Sequence, residues 1–172
     1  MIEIITATVA QLPNIKDLAL KIWPSTYGEI LSKKQLDFML DKFYDLKYLE
    51  NLMLVQNQVF LLISQNDTFL GFCAYELNAT NSAKDISKTK LHKLYVLPET
   101  QGKGLGKLLL KEVEKAAVLN NNTAVILNVN RYNKAVQFYN KQDYKIIETV
   151  DIEIGNGYLM EDYVMEKIVI TL

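Results

Sequence analysis

The sequence has 172 residues, of which 49% are hydrophobic, so it can build one well-packed core of ordinary domain size. Its 19 basic and 20 acidic side chains give a formal net charge of −1, which lacks the basic surface typical of proteins that bind nucleic acid or anionic membranes. One cysteine and one histidine exclude an intrachain disulfide, a cysteine-based zinc site and most transition-metal sites. We therefore expect no metal, no nucleic-acid partner and no membrane partner.

The chain also lacks sequence signals for targeting or for division into domains. No uncharged apolar run approaches the roughly 18 residues that a membrane-spanning helix needs. The first residues include Glu3 and no early lysine or arginine, which is a poor match to a secretory signal. We therefore predict a cytoplasmic protein. Because no repeat, low-complexity tract or linker interrupts the chain, a single domain is predicted over residues 1–172.

The N-terminal third is predicted to be mostly helical. Ile2 to Thr6 predicts a short strand, and the helix after it carries apolar residues on one face and is predicted to stop near Trp23-Pro24. Ser32 with Gln35 three residues later is a capping-box pattern, so a second helix is predicted to begin there. A third helix is predicted over Leu46 to Gln56.

The rest of the chain predicts six strands and two helices. The strands are expected at Val59–Ser64, Thr68–Leu77, Lys90–Leu97, Ala124–Val129, Tyr144–Ile154 and Tyr158–Ile170, and the helices at Gly104–Asn120 and Lys134–Lys141. Asn78 to Ser87 is polar and predicts a loop, whereas Gly155-Asn156-Gly157 predicts a tight hairpin turn. This order of elements indicates an α/β (α+β) domain with a mixed sheet.

The most informative stretch is a glycine-rich loop between the strand that ends at Pro98 and the following helix. Gly102, Gly104 and Gly106 stand at alternate positions, where the absence of a Cβ lets the backbone approach a ligand closely. Their N–H groups and the helix N-terminus form a positive concavity suited to phosphate. The loop is therefore predicted to bind a pyrophosphate rather than to be only a strand–helix link.

Two common nucleotide-binding motifs do not fit this loop. The dinucleotide fingerprint G-x-G-x-x-G fails because Lys107 stands where the third glycine belongs. The Walker motif fails because Leu108 stands where a serine or threonine binds magnesium, and Gln101 stands where its first glycine belongs. The pattern that does fit is R/Q-x-x-G-x-G/A, which is filled by Gln101, Gly104 and Gly106.

This loop resembles that of the GNAT superfamily of acyl-CoA-dependent N-acetyltransferases. Leu94 to Glu99 is similar to the family's strand before the CoA loop, and Asp162 to Lys167 is similar to its last strand. The family's N-x-x-A-x-x-F-Y helix is resembled by Asn133, Ala135, Phe138 and Tyr139. The resemblance implies a mixed, mainly antiparallel central sheet flanked by helices, with a helical N-terminal third. It also implies acetylation of a primary amine by direct attack in a ternary complex, with acetyl-CoA as co-substrate.

The same resemblance implies which residues bind acetyl-CoA. Backbone groups of Leu94, Tyr95 and Val96 are expected to pair with the pantetheine arm like an added strand. Gln101 is expected to brace the loop, and Asn133 to contact the cofactor from the other side, although a helix N-cap suits Asn133 equally well. The pyrophosphate is expected on the N–H groups of Gly102, Lys103, Gly104, Leu105, Gly106 and Lys107.

Two side chains are candidates for the proton transfers that amide formation requires. Tyr139 matches the family's tyrosine that protonates the departing CoA sulfur, and a packing role is its alternative. His92 lies on the strand expected to carry the pantetheine, where polyamine-acetylating relatives have a glutamate as proton acceptor. An imidazole, with an ordinary pKa of about 6.5, suits a base near neutral pH. A structural histidine is the alternative, and the departure from glutamate leaves both the base and a polyamine substrate open.

The acceptor is indicated by the N-terminal helices, which build the acceptor pocket in this superfamily. Their aromatic and acidic side chains suit a cationic amine, although they also fit a core and a solvated face. They are Trp23, Tyr27, Glu29, Asp37, Phe38, Asp41, Phe43 and Tyr44. Trp23 to Tyr27 resembles the matching segment of bacterial spermidine/spermine-type acetyltransferases. A small amine or polyamine is the first prediction; a protein or peptide N-terminus and a non-catalytic acyl-CoA sensor are the alternatives, and a homodimer stays open.

Two further residues carry structural predictions. Cys73 lies in an apolar strand, with nothing nearby in sequence to lower its pKa, and is predicted to be a buried thiol rather than a nucleophile. Asp143 stands where the family usually has the glycine of K-x-G-F. We expect Asp143 to adopt the left-handed backbone conformation that the glycine supplies.

Overall fold

The computed structural model describes residues 1–79 and 87–170, in which seven strands and five α-helices are found. The strands are β1 (Ile2–Thr6), β2 (Val59–Gln65), β3 (Thr68–Glu76), β4 (Lys88–Val96), β5 (Ala124–Asn130), β6 (Lys145–Gly155) and β7 (Tyr158–Ile168). The helices are α1 (Leu12–Tyr27), α2 (Lys33–Phe43), α3 (Leu46–Leu54), α4 (Leu105–Leu119) and α5 (Ala135–Lys141). The predicted order of elements is confirmed. The loop predicted between Asn78 and Ser87 lies, over residues 80–86, outside the described residues.

The strands form one sheet in the order β1-β2-β3-β4-β5-β7-β6. The pairs β1–β2, β2–β3, β5–β7 and β6–β7 are antiparallel, and β4–β5 is parallel. The parallel register runs from Lys88 opposite Ala124 to Leu91 opposite Leu127, whereas β4 continues to Val96. The predicted mixed, mainly antiparallel sheet is therefore confirmed.

The chain divides into two compact units. The first contains residues 1–76 and 92–113, and thus β1 to β3, helices α1 to α3, the later part of β4, the glycine loop and the first half of α4. Its fully buried apolar side chains include Ile15, Ile22, Leu49, Phe60, Leu62, Phe72, Leu109 and Leu110. The second contains residues 77–91 and 114–172, with Val125, Leu127, Tyr144 and Met165 buried. The single domain over residues 1–172 stays a prediction.

Helix α1 continues through Pro24 to Tyr27, so the predicted stop near Trp23-Pro24 is wrong. A proline inside a helix removes one backbone donor and crowds the preceding turn. Here Ile22 and Trp23, next to the proline, are buried, and the Tyr27 hydroxyl lies 2.9 Å from that of Tyr95 on β4. Burial and contacts on both sides of the proline therefore hold the last turn in place.

Several short-range predictions are confirmed. The backbone N–H of Gln35 donates to the Ser32 hydroxyl over 3.2 Å at the start of α2. Asn156 and Gly157 form the two-residue turn between β6 and β7 with φ values of 55° and 75°. Asp143 has a φ of 68°, so it adopts the left-handed conformation expected of the family's glycine. In each case the local chemistry of one to four residues decides the backbone conformation.

One helical face differs from the prediction. The helical spacing of the apolar residues in α4 predicts a core-facing side made of Leu105, Leu108, Leu109, Val113, Ala116 and Ala117. In the structure Leu108 is 39% exposed, and the neighbouring Leu110 is 1% exposed instead. Leu105, Leu109, Val113 and Ala117 are buried as predicted, and Ala116 is half-buried. The buried stripe of α4 is therefore shifted slightly around the helix axis.

Candidate active site

The glycine loop joins β4 to α4 within the first unit. Gly102 and Gly104 have φ values of +78° and +82°, in the left-handed region that favours glycine. The N–H of Leu108 donates to the Gly104 carbonyl over 3.1 Å, so the first turn of α4 begins directly after the loop. The amides of Leu105, Gly106 and Lys107 are therefore first-turn donors, for which a helix has no carbonyl one turn earlier. Such donors suit a phosphate oxygen.

The later part of β4 is packed closely against Gly71 of β3. A Cβ at position 71 would lie 2.6 Å from the Tyr95 carbonyl oxygen and 2.8 Å from Val96 Cγ1. The Leu97 N–H donates to the Leu70 carbonyl over 2.8 Å just beside this contact. Gly71 thus sets the position of the backbone predicted to bind pantetheine. Sequence reasoning missed this role, although a glycine inside a strand is itself a sign of close backbone approach.

His92 is paired with an acidic residue that the sequence did not single out. Its Nε2 lies 2.9 Å from Glu76 Oε2, the last residue of β3. The two side chains are 22% and 33% exposed, so solvent still reaches the pair. A carboxylate beside an imidazole favours its charged form and fixes the ring orientation. The predicted base candidate is therefore part of a carboxylate–imidazole pair.

Three of the predicted acceptor residues do come together. Trp23 contacts Tyr27, Tyr44 and Tyr95 at ring-centroid distances of 4.8, 5.4 and 5.9 Å, and Phe72 lies 5.7 Å from Tyr95. We call Trp23, Tyr27, Tyr44, Phe72 and Tyr95 the aromatic cluster. Glu29, Asp37 and Asp41 are exposed, and Phe38 and Phe43 flank Lys42. Of the predicted acceptor set, only Trp23, Tyr27 and Tyr44 therefore belong to one cluster, in which Trp23 and Tyr44 are buried.

One ring of the aromatic cluster, that of Tyr44, lies within reach of a cation. Lys93 Nζ lies 5.9 Å from the centroid of the Tyr44 ring, within the range of a cation–π contact. Burial lowers the pKa of Lys93 to about 8, because taking an ammonium out of water disfavours its charged form. The sequence alone does not mark Lys93 as a candidate site residue. Lys93 becomes a candidate only through its contact with Tyr44, which stands 49 positions earlier in the chain and comes close to it only in the folded structure.

In the second unit, Asn133 and Tyr139 lie on the turn and helix predicted to carry them. Asn133 Oδ1 accepts a hydrogen bond from the Ala135 N–H over 2.9 Å, as a capping side chain does. Asn133 also stands two residues before Ala135, one fewer than in N-x-x-A. Tyr139 is 7% exposed, and its ring contacts Phe138 and Tyr144 at 5.2 and 5.7 Å. These contacts fit the capping and packing alternatives, and the cofactor and proton-transfer roles stay predictions.

Other features of the described residues bear on the type of chemistry. Cys73 is buried, as predicted, and burial raises the pKa of its thiol far above the usual range. Within residues 1–79 and 87–170, no group of three histidine, cysteine or acidic side chains is placed to hold a metal ion. No helix in these ranges is long and apolar enough to cross a membrane.

A family model described as an acetyltransferase (GNAT) domain matches residues 29–167. The chain belongs to the GNAT acetyltransferase family. The predicted family and enzyme class, an acetyl-CoA-dependent N-acetyltransferase, are thereby confirmed. The sheet and its flanking helices are those of this family.

Individual relatives match this GNAT chain over nearly its whole length. It is similar to a spermidine N(1)-acetyltransferase of Thermoplasma acidophilum, with 28% identity over 165 residues that cover 93% of this chain and 96% of that protein. The crystal structure of a PaiA N-acetyltransferase from Thermoplasma acidophilum in complex with coenzyme A has a TM-score of 0.79, 27% identity and coverage of 98% and 99%. Arabidopsis thaliana Naa50, solved with the bisubstrate analogue CoA-Ac-MVNAL, has a TM-score of 0.68, 21% identity and coverage of 96% and 97%. The likeness to Naa50 concerns the fold.

Proposed function

We propose that this GNAT enzyme transfers the acetyl group of acetyl-CoA to the primary amine of a small amine or polyamine, by direct attack in a ternary complex. One observation supports this proposal most strongly. Within one unit, the imidazole of His92, which is paired with the Glu76 carboxylate, is followed directly along the chain by the rest of β4 and then by the glycine loop. The relative named as a spermidine N(1)-acetyltransferase supports the choice of acceptor. A cytoplasmic location belongs to this proposal.

Acetyl-CoA supplies the thioester whose carbonyl carbon is attacked. In this proposal the pyrophosphate is held by backbone N–H groups from Gly102 to Lys107, and Gln101 braces the loop. The exposed side chains of Lys103 and Lys107 add positive charge there. The backbone from Leu94 to Val96 pairs with the pantetheine arm, and Asn133 contacts the cofactor.

The proposed proton transfers balance the reaction. A primary ammonium must lose one proton before its lone pair can attack, and His92 accepts that proton directly or through water. The C–N bond then forms, the C–S bond breaks, and the Tyr139 hydroxyl gives its proton to the departing sulfur. The second proton of the amine nitrogen then returns to Tyr139 through water. Of the two protons lost by the amine nitrogen, one ends on CoA and one in solvent.

A panel of amines tests the proposal. Release of CoA thiol from acetyl-CoA is measured with spermidine, spermine, a simple alkyl monoamine and a short peptide that has a free N-terminus. Spermidine or the monoamine is expected to stimulate release most strongly. Stimulation by the peptide alone would replace the small-amine proposal with N-terminal acetylation. Binding of acetyl-CoA without stimulation by any amine would favour the sensor.

A further inference from the structure

We infer that Glu76 is a positioning residue that holds His92 in the tautomer whose Nδ1 receives the acceptor's proton. This inference rests on the proposed function, because it assigns a role within the same site. Glu76 ends β3 and His92 lies within β4, sixteen residues later, and their Oε2 and Nε2 atoms are 2.9 Å apart. A hydrogen bond of this length between an imidazole and a carboxylate is of the charge-assisted kind.

The tautomer follows from the donor and acceptor inventory. An ionised carboxylate has only acceptor oxygens, so the shared proton must sit on Nε2 of the neutral ring. The lone pair of that ring is then on Nδ1, which is the atom that can take a proton. When Nδ1 is protonated, the positive charge of the ring is balanced by Glu76. The carboxylate thus orients the ring before the transfer and stabilises the imidazolium after it.

The ionisable residues next to Glu76 and His92 in the sequence change charge outside the pH range of an ordinary imidazole. Tyr75 precedes Glu76 on β3, and burial raises its pKa, so its hydroxyl stays neutral at physiological pH. Lys93 follows His92 on β4, faces Tyr44, and has its pKa lowered to about 8 by burial. Lys93 therefore titrates above the range in which an ordinary imidazole does. A change confined to that lower range reports on the imidazole of His92.

The only histidine of the chain makes a direct test possible. In protein without a histidine tag, the imidazole signals of a proton or nitrogen NMR spectrum belong to His92 alone. Glu76→Gln keeps an acceptor oxygen but removes the charge, so we expect the pKa of His92 to fall by about one pH unit relative to the parent. The nitrogen shifts of the parent should show Nε2 as the protonated atom. As a control, Glu50→Gln removes the same charge from an exposed position on α3 and should leave the titration of His92 unchanged.

Kinetics then separate positioning from a merely structural role. In Glu76→Gln the rising limb of kcat/KM against pH should move down with the NMR titration, and its plateau should fall about tenfold because the base is weaker and less well oriented. In a His92→Gln background the same substitution should have no further effect, because Glu76 acts only through the imidazole.

Three results would overturn the inference. One is an NMR titration of His92 that is identical in the parent and in Glu76→Gln. Another is a kcat/KM profile that stays in place while the NMR titration moves. The third is a loss in Glu76→Gln that persists unchanged in the His92→Gln background. A failure of the proposed function would look different, since no amine would then stimulate thiol release even in the parent.

Discussion

Replacing Gly71 by alanine tests whether the contact between β3 and β4 sets the geometry of the cofactor strand. The new Cβ would lie 2.6 Å from the Tyr95 carbonyl oxygen, whereas ordinary van der Waals contact begins near 3.4 Å. The two backbones must therefore separate by about 0.8 Å, because neither partner is the flexible end of a side chain. Overpacking of this kind typically costs about 1–3 kcal/mol.

Urea unfolding and acetyl-CoA kinetics read out the two consequences of Gly71→Ala. With a urea m-value of about 2 kcal/mol/M, the midpoint should fall by roughly 0.5–1.5 M. A displaced β4 should weaken one or two backbone hydrogen bonds to the pantetheine, which corresponds to a rise in the KM for acetyl-CoA of about tenfold. The kinetic measurement uses the folded variant in the absence of urea.

Gly157→Ala is the matched control. Gly157 has a φ of +75°, and a Cβ there meets no described atom within 4 Å, so alanine strains the hairpin turn without a clash. We expect a loss of about 1 kcal/mol with an unchanged KM for acetyl-CoA. If Gly71→Ala left both the midpoint and the KM at the parent's values, the close contact would not exist. If only the midpoint fell, β4 would not carry the pantetheine.

Three other substitutions address single groups. Gly104→Ala should raise the Kd for acetyl-CoA in calorimetry, because an L-residue at a φ of +82° costs about 1 kcal/mol and reshapes the loop; Kd values equal to the parent's would remove the loop from the site. Tyr139→Phe should lower kcat by about 10²-fold with acetyl-CoA affinity intact, and an unchanged kcat would leave only the packing role. Lys93→Met should change the pH dependence of stability. The folded pKa of Lys93, about 8, lies below its unfolded value, so the unfolded chain binds more protons above pH 8 and the parent gains stability as pH rises from about 8 to 10.5. Urea unfolding at pH 7 and 9.5 should show a gain smaller by up to about 2 kcal/mol in Lys93→Met than in the exposed control Lys42→Met; equal gains would contradict the lowered pKa of Lys93.

Much of the fold could be predicted because its signals are local. The turn at Asn156-Gly157, the cap at Ser32 and the left-handed Asp143 each depend on the conformational preferences of a few adjacent residues. The glycine loop is also a local signal, since the spacing of its glycines alone predicts a backbone that can bind phosphate. These features need no knowledge of which strands pair.

The features that sequence reasoning missed depend on strand register. Glu76 is a functional candidate only because β3 and β4 bring it beside His92, and a one-residue slip would turn it to the other face. The need for a glycine at position 71 likewise becomes apparent only when β3 and β4 are paired, because the Tyr95 carbonyl oxygen then lies where a Cβ would be. Pro24 shows the converse, because a strong local helix-breaking signal was overridden by the burial of Trp23 beside it.

Strand β6 ends the sheet on one side, and this position affects how the protein can be handled. Ile146, Ile147 and Ile152 are 46%, 53% and 39% exposed along it, and the charged residues between and beside them are Lys145, Glu148, Asp151 and Glu153. Charges along an edge strand hinder its pairing with the edge of another molecule. Salt weakens that protection, because the Debye length shrinks to about 3 Å at 1 M ionic strength. Concentrated stocks should therefore be kept at low ionic strength, where repulsion between neighbouring edges delays the growth of intermolecular sheet.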